Sequence, residues 1–395
     1  GGKAGAPARR QGFLKKNKEI RLLVDAHIFD DMYQGTRTFL KGIYSNLDTH
    51  KYSIKIYLVA NNIESLKIEF KDIENIEFIK LKFKNKYIRL IYEIPRIISK
   101  SKIDFAHFNY YLPLIFNKKC KYIVTIHDVL FLDFPSYFSK MYYLKNKLFF
   151  KYAVRRAEIV TTVSNYSAQR IQEHFNILNK DIIVLSNAIN KEFSKDYKKQ
   201  FAIEFIKNNY NTQNFLLYVS RLEPRKNHLM LLKIYDELEL WKEGIELVFI
   251  GKHALENKEL DRYFEEIKMK SSEKVHLFEF VDEKDLILFY QSSLISIFPS
   301  LCEGFGIPPL ESAALRVPTI CSNLTAMKEF SFFEEFHINP KNENELKEAI
   351  LEMLDKIKNC SLEKNLHQIS QLIVKKYSWK NTAEILGQTI KTYRD

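Results

Sequence analysis

The segment FPSLCEGFGIPPLESAALRVPTICSN, residues 298 to 323, carries the pattern that decides the fold. An apolar strand leads into a loop with two glycines, and two prolines then suit the first turn of a helix, which we expect to begin at Pro308 or Pro309. A second apolar strand, PTICSN (318–323), follows. A strand, a helix and another strand in this order are typical of a βαβ unit in a parallel sheet.

The same alternation runs along almost the whole chain and falls into two series. The predicted strands are 19–28, 52–60, 107–109, 121–128, 158–164 and 182–188 in the first series, and 214–220, 245–251, 274–280, 294–300 and 318–323 in the second. The predicted helices are 35–47, 136–157, 165–175, 226–239, 258–269, 283–291, 308–315, 343–357 and 379–393. The polar stretch KEFSKDYKKQ (191–200) separates the series as a linker. We therefore expect an α/β protein with two doubly wound domains that face each other across a ligand-binding cleft.

Length and composition agree with this architecture. A chain of 395 residues exceeds one ordinary core. Its 46% apolar and 28% charged residues exclude collagen-like and low-complexity classes. The first eleven residues, GGKAGAPARRQ, differ in composition from the rest, and we expect residues 1–16 to be a tag or disordered.

The cysteines and the apolar runs point to a cellular compartment. The four cysteines are far apart and form no CxxC pattern, which argues against a zinc site or a disulfide framework and favours a reducing cytoplasm. No run approaches the ~18 uncharged apolar residues that cross a membrane, so we expect a soluble or peripheral protein.

Several familiar nucleotide motifs are absent from the sequence. No P-loop surrounds Gly251 and Lys252, and Gly304 and Gly306 lack the third glycine of a dinucleotide fingerprint. No D-x-D pair offers two carboxylates to a divalent cation. We expect neither a metal nor a cofactor.

The loop of residues 303–306 is the first candidate site. Its backbone N–H groups and the helix N-terminus suit an anionic diphosphate, and Glu303 and Glu311 can accept hydrogen bonds from sugar hydroxyls. The alternative is an ordinary connection whose carboxylates only complement the helix dipole.

Two cations follow a strand of the second series. Arg221 comes directly after the strand and Lys226 begins the next helix, so both can reach over the strand ends and neutralise a departing nucleotide. The alternative is a solvated turn, because arginine and lysine are mostly exposed.

His127-Asp128 and Gly35 also follow predicted strands, in the first series. A single histidine is usually structural, and a single glycine usually only permits a turn. Their placement nevertheless brings four segments from two domains to one predicted cleft.

Five segments resemble motifs of the retaining glycosyltransferases of family GT4, which have the GT-B fold. They are EGFGIPPLE (303–311), VSRLEPRKN (219–227), TIHDVLFLDFP from Thr125, TVSNYSAQRI from Thr162 and KKYSWKNTAEIL (375–386). The resemblance implies an acceptor-binding Rossmann-like domain over 17–195 and a nucleotide-sugar-binding domain over 196–377. It also implies a C-terminal helix, 378–395, that packs back on the N-terminal domain.

The resemblance further implies roles for individual residues. Arg221 and Lys226 would bind the donor diphosphate, and Glu311 the nucleotide ribose. The transferred sugar would contact Glu303, the backbone around Gly304, Phe305, Gly306 and Ile307, and His127. Gly35 would bring backbone N–H groups near the phosphates or the acceptor, although many relatives have two adjacent glycines where this chain has Gln34-Gly35-Thr36. The catalytic residues would be His127, Glu303, Arg221 and Lys226, with no metal.

The implied function is retaining, metal-independent transfer of a hexose from a nucleotide-diphosphate sugar, first GDP-mannose, to a lipid-linked or polysaccharide acceptor. A glycoside hydrolase that uses Glu303 and Glu311 is one alternative, but it leaves Arg221 and Lys226 without a purpose. A nucleic-acid-binding protein is another, suggested by the abundant aromatic residues and by the net charge, which is +12 for the whole chain and +9 without Lys3, Arg9 and Arg10.

The location of the basic residues favours a different interpretation of the positive charge, in which the partner is a membrane surface and not nucleic acid. Residues 80–102 hold eight Lys and Arg against one acid, and residues 140–156 hold six against none, interleaved with aromatics. We expect this domain to meet an anionic membrane surface, at the cytoplasmic face of the plasma membrane, and no nucleic acid. The alternative is a solvated basic face with an aromatic stripe turned to the core.

Overall fold

The structure is a computed structural model that describes residues 18–30, 35–195, 198–255 and 257–394. The predicted tag at residues 1–16 lies outside the described residues.

The N-terminal sheet has seven parallel strands in the order β3-β2-β1-β4-β5-β6-β7. They are β1 (Ile20–Asp25), β2 (Ile54–Ala60), β3 (Ile76–Lys80), β4 (Phe105–Asn109), β5 (Lys121–Thr125), β6 (Ile159–Thr162) and β7 (Ile182–Val184). Neighbouring residues of β1, Leu22, Leu23 and Val24, are all buried although their side chains alternate between the two faces. The sheet is therefore covered by helices on both sides, as parallel sheets are.

The C-terminal sheet has six parallel strands in the order β10-β9-β8-β11-β12-β13. They are β8 (Phe215–Val219), β9 (Glu246–Ile250), β10 (Val275–Phe278), β11 (Ile295–Phe298), β12 (Thr319–Ser322) and β13 (His337–Ile338). In each sheet the strand order reverses between the first and the fourth strand, at β1/β4 and at β8/β11. Both domains are thus doubly wound, which confirms the predicted α/β fold class.

The helices cover the sheets and join the domains. They are α1 (Gly35–Tyr44), α2 (Thr49–Tyr52), α3 (Ile63–Glu69), α4 (Lys86–Ile88), α5 (Ile94–Lys100), α6 (Leu130–Asp133), α7 (Lys140–Arg156), α8 (Asn165–Phe175), α9 (Lys199–Tyr210), α10 (His228–Glu237), α11 (Lys258–Lys270), α12 (Glu283–Ser292), α13 (Ile307–Ala314), α14 (Glu343–Lys358), α15 (Glu363–Lys376) and α16 (Trp379–Arg394). A π-helical turn, Arg89–Glu93, joins α4 to α5. Across the described ranges, none of the helices has both the length and the apolar character needed to cross a bilayer.

The sequence patterns missed two strands and seven helices of the described residues, namely β3, β13, α2, α3, α4, α5, α6, α9 and α15. Strand β3 is a partly exposed edge strand, and β13 has only two residues, so neither shows a clear apolar run. Helix α9 begins inside the predicted linker and buries only Ala202 and Ile206, and α15 buries only Ser370 and Ile373. The domain boundaries at 195/196 and 377/378 stay predictions.

Helix α16 packs against α1 and α2 of the N-terminal domain, as the predicted fold requires. The indole of Trp379 meets the ring of Phe39 edge to face, with 6.3 Å between centroids. Two glycines permit the close approach: a Cβ on Gly42 would collide with the Trp379 ring, and one on Gly387 would collide with Tyr52. Trp379 also belongs to an apolar cluster that continues from the N-terminal sheet to α13 and α15 of the other domain.

Candidate active site

The site lies where the carboxyl ends of both sheets face each other. The loop after β8 (220–226) and the loop after β11 (299–306) leave the two strands at which the C-terminal strand order reverses. Opposite them, His127 and Asp128 follow β5 of the N-terminal sheet. Ligands of open parallel sheets bind at such positions.

Glu303 forms the charged centre of the site. Its Oε1 is ion-paired with Nζ of Lys226, and its Oε2 lies 3.2 Å from Nη1 of Arg225. All three side chains are largely buried, with 13 to 15% exposed. Burial would raise the pKa of Glu303, but the charges of Lys226 and Arg225 outweigh it and lower the pKa to about 2. Glu303 is therefore a carboxylate at every physiological pH.

The loop after β8 is held in place by Tyr218. Its hydroxyl donates to the carbonyl of Lys226 at 2.8 Å and lies 2.9 Å from Oγ of Ser300. Asn227, which has a positive φ of 63°, donates to the carbonyl of Pro299 at 3.2 Å. These bonds tie the β8 and β11 loops together and fix Lys226 beside Glu303.

The structure separates the two predicted cations. Lys226 reaches Glu303, whereas the side chain of Arg221 is 67% exposed and lies 3.2 Å from Glu223. Arg225 takes the inner position that we expected for Arg221: it binds Glu303, the carbonyl of Cys302 and Glu223. Arg225 was not among the predicted site residues, although its position directly before Lys226 was a signal. The assignment of Arg221 to the diphosphate stays a prediction.

The glycine loop bridges the two domains. The carbonyl of Gly304 accepts hydrogen bonds from Oγ of Ser164, at 2.9 Å, and of Ser167, at 3.4 Å. A Cβ on Gly304 would lie 2.7 Å from Oδ2 of Asp128, so a side chain there would push the domains apart. Gly306 has a φ of 102°, in the region that favours glycine.

The remaining residues of this loop lead into the helix. The Phe305 side chain is buried against Phe330 and Tyr377, which leaves its backbone as the part that can meet a ligand. Helix α13 begins at Ile307, one residue before the predicted start. Glu311 consequently lies in the second turn of α13.

Glu311 is poised to titrate near neutral pH. Tyr290 donates a hydrogen bond to its Oε2 at 3.3 Å. Burial raises the pKa of Glu311 to about 7, because a charged carboxylate loses its hydration there.

His127 is buried and electrically neutral. Its Nε2 lies 3.1 Å from Oδ1 of Asn109, and its ring packs against Phe39 and Tyr110. Burial lowers the pKa of His127 to about 4 and raises the pKa of the neighbouring Asp128. At neutral pH the imidazole can therefore donate or accept a hydrogen bond without carrying a charge.

Gly35 is the first residue of α1. A Cβ there would meet no atom within 4 Å, so no close contact with the described residues requires a glycine. Its place near the phosphates or the acceptor stays a prediction.

Two family models match the chain, one in each domain. The model described as Glycosyltransferase Family 4 matches residues 37–193, and the model described as Glycosyl transferases group 1 matches residues 199–373. The O-antigen chain mannosyltransferase B of Escherichia coli is 26% identical over 291 residues, which cover 72% of each chain. The serotype-specific mannosyltransferase WbdA of Escherichia coli is 30% identical over 234 residues, which cover 58% of this chain but only 28% of WbdA.

Solved structures share the architecture. A glycosyltransferase from Rickettsia africae superimposes with a TM-score of 0.69 at 18% identity, covering 95% of this chain and 98% of that one. The Anabaena protein HepE, solved in complex with UDP-glucose, gives a TM-score of 0.66 at 13% identity, covering 95% and 100%. The fold and the two family models, which together span both domains, agree: the chain belongs to the GT4-type glycosyltransferases and has their GT-B fold.

Proposed function

We propose that this glycosyltransferase moves a hexose, with retention of its anomeric configuration and without a metal, from a nucleotide-diphosphate sugar to a lipid-linked or polysaccharide acceptor in cell-surface glycan synthesis. GDP-mannose is the first candidate donor, because relatives in Escherichia coli and Salmonella typhimurium are named as O-antigen chain mannosyltransferases. Because the chain belongs to a glycosyltransferase family, we do not retain the glycoside hydrolase and nucleic-acid-binding alternatives.

The donor diphosphate is assigned to the loop after β8. The observation that carries this assignment is the burial of Lys226 at the β8/β11 switch point, next to the glycine loop that begins α13. A buried ammonium group there can stabilise the charge that develops on a leaving diphosphate. Arg221, exposed at the same strand end, would close on the phosphates from the solvent side. The two cations would supply the charge that a metal supplies elsewhere.

The transferred sugar is assigned to Glu303 and the backbone of residues 304–307. Since Glu303 is ionised and tied to two cations, it is suited to accept hydrogen bonds from sugar hydroxyls and poorly suited to attack carbon. The acceptor would attack on the face from which the nucleotide leaves, through an oxocarbenium-like transition state. Neutral His127 would bind a sugar hydroxyl from the N-terminal domain.

Membrane docking is assigned to α7 of the N-terminal domain. Part of its aromatic stripe faces the core, where Phe150 is buried. The outer face presents Met141, Leu144 and Leu148 with exposed fractions of 80, 62 and 70%, among lysines. Exposed aliphatic side chains beside positive charges suit an anionic bilayer surface, which supports the proposal that the enzyme works at the cytoplasmic face of the plasma membrane.

A thermal-shift panel with GDP, UDP and dTDP tests the donor assignment. The nucleotide of the true donor should raise the unfolding temperature most, since it binds only the folded protein. NMR of the product then reports the anomeric configuration, and excess EDTA should leave the initial rate nearly unchanged. The donor assignment fails if none of the three nucleotides stabilises the protein, and the retaining mechanism fails if the product is inverted. Metal independence fails if EDTA abolishes activity and Mg²⁺ or Mn²⁺ restores it.

A further inference from the structure

A second group of cations lies in the N-terminal domain, apart from the donor site. It consists of Lys86 in α4, Arg89 in the π-helical turn and Lys145 in α7, which we call the N-domain cation group. Lys86 Nζ lies 3.0 Å from the centroid of the Tyr111 ring, and Lys145 Nζ lies 6.0 Å from that of Tyr87. Lys86 and Arg89 thus come from adjoining elements, and α7 brings Lys145 to them from a distant part of the sequence.

The group lies at the switch point of the N-terminal sheet. Tyr111 follows β4 by two residues, and Arg89 Nη1 donates to Oδ1 of Asn61, the residue after β2, at 3.1 Å. The charges of Lys86 and Arg89 also act on Asp25, the last residue of β1. Since the strand order reverses between β1 and β4, the crevice outside these strand ends is where such a sheet takes a ligand.

The nearby carboxylates are already engaged. Asp25 lies 2.8 Å from Nδ1 of His27, and Glu93 accepts hydrogen bonds from the backbone N–H groups of Lys82 and Phe83. Among the residues that the structure describes, no carboxylate forms an ion pair with a member of the N-domain cation group. Among the described residues, the group therefore has no carboxylate in contact with it, and Asp25 offsets its charge only from a distance.

Two members are also partly withdrawn from water. Arg89 is only 6% exposed, and its Nε is buried without a hydrogen-bond partner. Burial and the charges of Lys145 and Arg89 lower the pKa of Lys86 to about 8. Buried cations without a counter-charge cost stability, and groups of this kind are concentrated at binding sites. A π-helical turn, rare in proteins, also occurs frequently at functional sites.

We propose that Lys86, Arg89 and Lys145 bind a phosphate or diphosphate group of the acceptor. The proposal rests on the proposed function in one respect, that the acceptor enters through the N-terminal domain. Tyr110, next to Tyr111, packs on His127 with 5.3 Å between ring centroids, which connects the group to the residue proposed to bind the transferred sugar. Ile88 and Ile91, exposed on the same segment, would accompany an apolar chain attached to the phosphate.

Calorimetric titration with farnesyl diphosphate tests the site. The full chain is first saturated with the nucleoside diphosphate that stabilises it most, which fills the donor site. Lys86→Gln/Lys145→Gln should weaken farnesyl diphosphate binding at least tenfold. Lys118→Gln/Lys119→Gln, which removes the same charge from exposed positions elsewhere in the N-terminal domain, should change it less than twofold. Equal loss in both double variants, or no binding by the wild type, would overturn the proposal.

Inorganic pyrophosphate identifies the source of the phosphate. If it binds as tightly as farnesyl diphosphate and shows the same dependence on Lys86 and Lys145, the group recognises the diphosphate without an apolar chain, as expected for a phosphorylated sugar. If it binds at least tenfold more weakly, the group recognises a lipid diphosphate. Both results support the site.

Nucleotide binding separates this proposal from the proposed function. Lys86→Gln/Lys145→Gln should keep the thermal shift with nucleotide, because the donor site lies in the other domain. Loss of that shift in the double variant would overturn the assignment. If the wild type binds farnesyl diphosphate as expected but no nucleotide, the anion site stands and the donor assignment fails.

Discussion

At the scale of single residues, Lys226 is the side chain on which the proposed chemistry depends most. Lys226→Ala should lower kcat by roughly two to three powers of ten, as loss of one preorganised charge-stabilising group does. Lys242→Ala, an exposed lysine outside the site, is the control and should leave kcat unchanged. Turnover at the wild-type rate by a folded Lys226→Ala enzyme would contradict the diphosphate assignment.

The two arginines of the same loop can be told apart by kinetics. If Arg221 binds the diphosphate, Arg221→Ala should impair turnover about as much as Lys226→Ala, and the double variant should lose less than the product of the two effects. Arg225→Ala instead removes a buried partner of Glu303 and should also lower the unfolding temperature. An unimpaired Arg221→Ala would leave Arg225 as the functional arginine.

Glu311 should make nucleotide binding depend on pH. In the folded protein the Glu311 carboxyl keeps its proton up to about pH 7, whereas in the unfolded chain it loses that proton near pH 4.5. The folded state therefore binds more protons between these values, so stability falls as the pH rises through this window. If ribose hydroxyls donate to the carboxylate, nucleotide affinity should rise roughly tenfold from pH 6 to pH 8 through this group. Glu311→Gln should remove that rise and keep only the part due to phosphate ionisation. Identical pH profiles by calorimetry would contradict the ribose assignment.

The site residues were predictable to the extent that they follow strands. Lys226, Glu303 and His127 each follow a strand closely, and the strand order brings those ends to one cleft. The exchange of Arg221 for Arg225 at the inner position was not predictable, because it depends on which of two nearby side chains the loop turns inward. The neutral state of His127 likewise depends on burial, which a sequence does not give.

At the scale of elements, α7 carries a testable surface. Leu144→Ser/Leu148→Ser should reduce co-sedimentation with phosphatidylglycerol vesicles, since it removes exposed apolar area. Lys140→Gln/Lys147→Gln/Lys151→Gln should weaken the free energy of vesicle binding by up to about 1 kcal/mol per charge, and by less at high salt. Turnover of a soluble acceptor should survive both sets of changes. Absence of vesicle binding by the wild type at low salt would remove the membrane from the proposal.

Elements with strong apolar periodicity were predicted and those without it were not. The ten-residue α1 and the buried β8 show clear patterns, and their types were predicted correctly. The edge strand β3 and the short β13 bury too little to leave a pattern, and they obtain their structure from the neighbouring strand. Helix α9, rich in lysine and asparagine, has the composition of a linker and is ordered by its packing against α12.

At the scale of the whole molecule, the contact between α1 and α16 should tolerate little change. Gly42→Ala places a methyl group against the rigid Trp379 ring and should cost about 1–3 kcal/mol of unfolding free energy. Gly35→Ala in the same helix meets open space and should change stability by less than about 0.5 kcal/mol. The midpoints of thermal unfolding measure the difference, and equal midpoints would contradict the packing described for α16.

The chain crosses between the domains twice, and the two crossings touch. The N–H of Ile189 donates to the carbonyl of Tyr377 at 3.2 Å, and Nε1 of Trp379 donates to Asn190 at 3.3 Å. The hydroxyls of Ser164 and Ser167, which bind the glycine loop, belong instead to the face where the domains meet across the cleft. Because both covalent connections lie side by side, they act as a single hinge. If substrate release requires the cleft to open, the contacts of Ser164 and Ser167 with Gly304 and those of Asn165 and Tyr166 with Glu329 must part. The crossings can stay bonded meanwhile, so we expect the cleft to open by rotation about one axis.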